Sequence, residues 1–276
     1  MNITAADVNK LRTMTGAGMM DCKKALTEAN GDFDAAVDNL RKKGAKISAS
    51  RSDRDAKEGA VIAQTTADGK TGVIVSLNCE TDFVAKNEDF ISFAKEITTL
   101  ALVKQPDNLE ALKALDLNGL SIADRLTEQV GKIGEKIDIN SYEILRGESV
   151  VPYIHGQNRM GVLVAMNQAV TDAISAAGKD AAMQVAAMNP LAVNADGIDQ
   201  DTIKREIEVG KEQARAEGKP EEMLEKIAQG KLNKFYKDST LLNQEFVKDG
   251  SKTVAQMLDA SSKGLTIVEF KRVALG

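Results

Sequence analysis

The chain holds no tryptophan, and three tyrosines and seven phenylalanines bring aromatics to only 4% of its 276 residues. Base-stacking platforms and large aromatic cores need more rings than that, so neither is expected. There are two cysteines, Cys22 and Cys79, too few for a disulfide framework or a four-thiolate metal site, and two free thiols fit a reducing compartment. A single histidine, His155, leaves little material for acid–base chemistry near neutral pH. Basic charge is not in excess either: 36 Lys and Arg face 41 Asp and Glu, a net charge of −5, whereas a general nucleic-acid binder leans the other way. No apolar run reaches the roughly 18 residues of a membrane span. The opening MNITAADVNK carries Asp7 early and no apolar stretch, so no secretory leader is expected. The expectation is a cytoplasmic chain with no metal, no cofactor, no membrane and no direct nucleic-acid partner.

The remaining composition, 43% hydrophobic and 28% charged, is that of a globular protein, and the length suggests about two domains. Residues 1–44 read as three helices. Thr4 caps the first, with Asp7 three residues on, and Val8, Leu11 and Met14 line its inner face. Thr15-Gly16-Ala17-Gly18 is a loop. A second helix runs from about Met20 to Ala29 with Cys22 and Leu26 on one side. Asp32 caps a third, whose stripe is Phe33, Ala36, Val37 and Leu40, and Gly44 is its natural stop. Lys46 to Lys57 reads as a polar tether. The bases around it, Arg41, Lys42, Lys43, Lys46, Arg51 and Arg54, are either a solvated helix end or a phosphate-binding stripe.

From residue 58 the period changes. Val61-Ile62-Ala63, an Asp68-Gly69 turn and the alternating Val73, Val75 and Leu77 predict a β-hairpin. Helix follows from Thr81, with Phe90, Phe93, Ile97, Leu100 and Ala101 buried, then helical patches at Leu109–Leu115 and Ile122–Ile133. The hairpin recurs 89 residues on: Val61 maps to Val150, Gly72 to Gly161 and Asn78 to Asn167, and a helix near Thr171–Ala187 follows it. Two related α+β units are the simplest account, each with one sheet face covered by helices. Residues 199–237 depart from the repeat as two helices joined at Gly218-Lys219-Pro220, an antiparallel helical hairpin. Gly264 to Val273 reads as a closing strand.

Catalytic signatures are missing. Gly69-Lys70-Thr71 imitates the end of a P-loop, but Gln64 stands where the first glycine belongs and the segment lies in a hairpin. A Cys–His pair of Cys22 or Cys79 with His155 has little support, because Cys22 lies on the inner face of a helix and buried cysteines are commonly inert. The most unusual stretch is Asn78-Cys79-Glu80-Thr81-Asp82-Phe83-Val84, which leaves a strand and enters a helix. In a purely structural reading, Thr81 or Asp82 caps that helix and Phe83 packs as a staple.

This stretch, with Thr15-Gly16-Ala17-Gly18-Met19-Met20-Asp21-Cys22-Lys23-Lys24-Ala25-Leu26, resembles the bacterial translation elongation factor Ts family, as do Lys132-Ile133-Gly134-Glu135 and Tyr153-Ile154-His155-Gly156. The resemblance covers almost all of the chain. It implies an α+β fold: an N-terminal three-helix module of ubiquitin-associated type with its tether (1–54), a first core subdomain (55–140), a second (141–184 and 235–276), both with antiparallel sheets, and an inserted helical hairpin or coiled coil (185–234). A C-terminal helical module found in many members has no counterpart after Val273-Ala274-Leu275-Gly276. The implied activity is guanine-nucleotide exchange on elongation factor Tu, GDP-bound or nucleotide-free, without bond chemistry and so without catalytic residues. Thr81, Asp82, Phe83 and Val84 are then the segment that displaces Mg²⁺ from Tu, and Arg12, Met19, Met20 and His155 are further partner contacts. Each keeps a plain alternative. The methionines fill the small module's core, His155 is a surface turn residue, and the helical hairpin is either a homodimer surface or a solvated strut. A non-catalytic protein-binding scaffold and an RNA-associated factor using the basic tether are the competing functions.

Overall fold

A computed structural model describes residues 3–276. Three helices open it: α1 (Ala5–Thr15), α2 (Met19–Glu28) and α3 (Phe33–Ser50). Thr4 and Asp7 form a reciprocal capping box on α1, and Asp32 caps α3 through the Ala35 amide. Val8, Leu11, Cys22, Ala25, Leu26 and Ala36 make a small core of their own. Met14 is not in it; the side chain is 57% exposed. Gly44 does not stop α3 either. It is buried in mid-helix, and the helix continues through half of the expected tether because a second helix supports it there.

Two strands follow, β1 (Glu58–Thr65) and β2 (Thr71–Cys79), then α4 (Asp82–Ala85), α5 (Glu88–Lys104), α6 (Leu109–Lys113) and α7 (Ile122–Ile133). The strand β3 (Asp138–Arg146) pairs antiparallel with β2, giving a sheet of order β1-β2-β3. Sequence reading did not find β3, and it straddles the boundary expected between residues 140 and 141. Its Asp138, Asn140, Ser141, Glu143 and Arg146 dilute the β signal. The second half repeats the plan with β4 (Ser149–His155), β5 (Met160–Met166) and α8 (Asp172–Met188). Helices α9 (Gln200–Ala216) and α10 (Glu221–Ser239) project as a pair closed along Gly210, Ala214, Leu224, Ala228 and Leu232. A short ribbon of β6 (Glu245–Phe246) and β7 (Asp249–Thr253), the helix α11 (Val254–Ser261) and β8 (Ile267–Ala274) complete the chain. β8 joins β5, so the second sheet has the order β4-β5-β8.

The two sheets stack on each other. Ala60, Ile62, Val73, Val75 and Leu77 face α5 and α7, as the alternation predicts, and Val162, Val164 and Met166 face α8 and α11. The opposite faces are not solvated. Val61, Ile74 and Leu145 of one sheet meet Val150, Leu163 and Ala165 of the other. Both faces of each sheet are therefore buried, which corrects the expectation of one covered face and explains why Val73-Ile74-Val75 runs apolar without a break.

The contact is reciprocal under the 89-residue shift. A Cβ at Gly72 would lie 2.8 Å from Val150 and 2.9 Å from Leu163, and one at Gly161 would lie 2.9 Å from Val61 and 3.2 Å from Ile74. Each repeat thus uses its glycine to admit the other's side chains. The turns reciprocate too: Val61 N–H donates to Asn158 O at 2.7 Å, and Val150 N–H donates to Gly69 O at 2.6 Å. Leu163 sits fully buried at the centre of this contact. Leu163→Ala is expected to destabilise the protein by about 3 kcal/mol, whereas Val268→Ala, at a side chain 52% exposed, shifts it by less than about 0.5 kcal/mol; urea unfolding monitored by circular dichroism measures both.

Candidate functional site

Strand β2 ends at Cys79, and the chain then turns into the single helical turn α4. Two carboxylates shape this corner in a crossed arrangement. The Glu135 carboxylate accepts the Glu80 N–H (3.2 Å), the Thr81 N–H (3.0 Å) and the Thr81 hydroxyl (2.7 Å). The Glu80 carboxylate in turn accepts the Lys136 N–H (2.6 Å) and the guanidiniums of Arg51 (2.6 Å) and Arg54 (3.1 Å). Gly134 makes this possible: with φ at 81° it closes α7 in the left-handed region and swings Glu135 towards Thr81. Burial pushes the Glu80 carboxyl up, but the Lys136 amide and the two guanidiniums outweigh it and hold it below the usual glutamate range.

On this base Thr81 is the N-cap of α4, accepting the Val84 N–H, and Val84 is half-buried against the first core. Phe83 has no such support. It is 83% exposed, the most exposed large hydrophobic side chain among the described residues. The capping half of the structural reading holds, through Thr81. The staple half does not, because Phe83 points away from the core that Val84 enters. Asp82 pairs with Lys86 at 2.5 Å on the surface. The Cys79 thiol donates to Thr81 O at 3.2 Å, and burial, then the Glu135 and Glu58 carboxylates, push its pKa up to about 12. A thiol in that state is no nucleophile at neutral pH.

The other singled-out residues divide between two regions. His155 is exposed at the end of β4, its Nδ1 2.9 Å from the Tyr153 hydroxyl. The turn it begins docks on the first repeat, where Arg159 binds Glu58 at 2.6 Å and feels the charge of Asp82. The second hairpin's turn and the Phe83 corner therefore share one edge. Arg12, Met19 and Met20 are exposed on the three-helix head; Met19 is 54% and Met20 73% exposed, and Met14 at the end of α1 is 57% exposed. None of the three methionines fills the head's core. The Glu80–Glu135 exchange and the part of Arg51 and Arg54 in it were not found from the sequence. In the sequence Glu80 and Glu135 stand in two separate motifs and Arg51 and Arg54 in a basic run, with nothing to join them.

The second repeat supplies an internal comparison. There β5 leads through the cap Thr171 straight into α8, a 17-residue helix that ends at Asn189 in the left-handed region, as the 17-residue α5 is capped by Asn87 and ends at Gln105; no single turn like α4 precedes it.

The family model described as Elongation factor TS matches residues 80–276. The chain is 57% identical to the Elongation factor Ts of Cytophaga hutchinsonii over 274 residues, 99% of either chain. It is 54% identical to that of Amoebophilus asiaticus over 276 residues, 100% of each. It is 55% identical to that of Flavobacterium psychrophilum over 274 residues, 99% of each.

Since the native Glu80 carboxyl lies below its ordinary pKa, the stability it adds is complete above the ordinary glutamate range and is lost as pH falls through the native value. Urea midpoints of the native protein and Glu80→Gln are expected to lie apart at pH 7 and to converge on acidification below pH 4 (order of magnitude). A gap independent of pH would remove the charge from the account.

Proposed function

The chain belongs to the elongation factor Ts family, and from that membership we propose that it is a guanine-nucleotide exchange factor for elongation factor Tu, acting in the cytoplasm and by binding alone. The observation that carries the reading is Phe83: a large apolar ring held almost fully in solvent on a hydrogen-bonded base. An exposed aromatic on a rigid corner suits insertion into a partner, because its conformational freedom is already restricted before binding. No bond is made or broken, and the raised pKa of the Cys79 thiol agrees with that.

In this mechanism the partner's Mg²⁺ neutralises the phosphates of bound GDP, and Thr81-Asp82-Phe83-Val84 disturbs the groups that hold it. Phe83 is the wedge. Asp82 can leave Lys86 for a group on the partner, since a surface ion pair of this kind adds little. Val84 and Thr81 keep the corner from yielding. His155 lies along the same edge as a second contact. Arg12, Met19 and Met20, adaptable and exposed on the head, grip the nucleotide-binding domain. Weakening GDP by each ~1.4 kcal/mol speeds its release about tenfold, and GDP weakens the exchange factor by the same factor in return. That reciprocity lets the complex come apart again when nucleotide rebinds.

The domain plan belongs to the same reading: residues 1–54 as a ubiquitin-associated-type head, 55–140 and 141–184 with 235–276 as the core, with β3 carrying the first subdomain's sheet across the 140/141 boundary to Arg146, and 185–234 as a coiled-coil insertion. Three packed helices and the closed seam of α9 and α10 support it. Pairing of two copies through α9–α10 is a separate proposal, checked by light scattering. The scaffold alternative, a binding module for another protein, differs in two respects: it binds Tu weakly or not at all, and it leaves nucleotide release unchanged.

Burying a phenylalanine side chain is worth about 1.5–3 kcal/mol. Phe83→Ala is therefore expected to keep the native fold and to slow stimulated GDP release from Tu at least about tenfold, read by stopped-flow fluorescence of a labelled nucleotide. Unchanged release would reject the wedge.

A further inference from the structure

Helices α3 and α7 cross at a pair of glycines. A Cβ on Gly131 would lie 2.9 Å from the Gly44 Cα, and one on Gly44 would lie 2.8 Å from the Thr127 carbonyl oxygen. The backbones are in direct contact, closer than any pair with side chains allows. On one side of the crossing is the head. Arg41 on α3 binds Glu128 on α7 at 3.3 Å, Lys43 binds Asp21 on α2, and the Lys132 side chain of α7 lies against Gly16, where a Cβ would meet it at 3.0 Å. On the other side both helices run to the Phe83 corner. α3 ends in Arg51, which with Arg54 holds Glu80, and α7 ends in Gly134, from which Glu135 holds Thr81.

From this geometry we infer that the Gly44–Gly131 crossing is a positioning element that fixes the distance between the head's methionine surface and the Phe83 tip, so that both engage one partner at once. Neither glycine touches the partner. The inference rests on the exchange reading above. Two contacts on one rigid frame act as a linked pair: the second forms at high effective concentration only when the frame's span matches the sites. A close helix crossing gives one discrete spacing, because a backbone contact has no rotamers with which to adjust. The Arg51 and Arg54 bonds to Glu80 and the Glu135 bonds to Thr81 keep that spacing from being lost at the far end.

Gly131→Ala tests this. Alanine is the better helix former, so α7 itself is not weakened, while the added methyl forces the two helices apart. GDP release from Tu is measured with native chain, Gly131→Ala, Met19→Ala/Met20→Ala and the triple variant, with circular dichroism on each. Gly230→Ala, on α10 with open space around it, is the control and is expected to match the native chain. Gly131→Ala is expected to slow stimulated release about tenfold in the native background and less than about twofold once the two methionines are gone, a non-additivity that a general loss of stability does not produce. If Gly131→Ala fails to fold, Arg51→Gln/Arg54→Gln reads the same coupling from the tip end and is expected to show the same dependence on Met19 and Met20. Equal slowing in both backgrounds, or no slowing, overturns the inference while leaving exchange activity in place. A native chain that does not accelerate release overturns the exchange reading, and this inference with it.

Discussion

The packing of one sheet on the other is the constraint on which the rest depends. Val61, Ile74 and Leu145 against Val150, Leu163 and Ala165 form an apolar layer between two sheets whose outer faces are already committed to helices. The two glycines that admit this contact stand 89 residues apart, and so do the turns that exchange carbonyls across it. The arrangement has the logic of a two-fold interface between like subunits, in which each patch meets the other's counterpart. Once it forms, the turn at Gly156–Asn158 has to lie over β1, and Arg159 has to come to Glu58 near Asp82. The edge carrying Phe83 and His155 is a geometric consequence of the core.

The corner around Phe83 shows how a protein can hold an apolar ring in water. The ring is not stabilised where it sits; the backbone beneath it is. Thr81 satisfies Val84 and is itself held by Glu135, and Glu80 joins the ends of α3 and α7. Charged acceptors make stronger hydrogen bonds than neutral ones, and here two of them serve four backbone or hydroxyl donors and two guanidiniums. The fixed backbone removes the freedom by which an unsupported Phe83 could fold back onto its own core.

Much of this was legible in the sequence, for identifiable reasons. The period of Phe90, Phe93 and Ile97 gave α5, the Asp68-Gly69 turn gave the first hairpin, and the repeat gave the second. β3 was missed because its polar residues hide the alternation, and its pairing with β2 is decided by tertiary contact. Gly44 reads locally as a stop because many helices end at glycine; what it meets, a glycine 87 residues away, is invisible in any local window. The site divides in the same way. Thr81, Asp82, Phe83 and Val84 stood out as a motif, whereas Glu135, Arg51 and Arg54 join them only in three dimensions. Exposure of Met14, Met19, Met20 and Phe83 was likewise beyond the sequence, since an apolar side chain on a helix reads the same whether it faces a core or solvent.

The second repeat separates what the fold asks of this corner from what it does not. Asn87 caps α5 and Thr171 caps α8, so a capped long helix over the sheet is what the fold asks for in both halves. The α4 turn with its phenylalanine is not such a requirement, because the second half passes from β5 to α8 without one. The ring at position 83 is therefore an addition to a working junction, and it stands in the repeat whose junction alone is tied by Glu80 and Glu135 to the ends of α3 and α7. An exposed aromatic costs solubility and invites association, so its presence on the braced corner and its absence from the plain one are accounted for together if the bracing and the ring serve a single task, transmitting force to a partner.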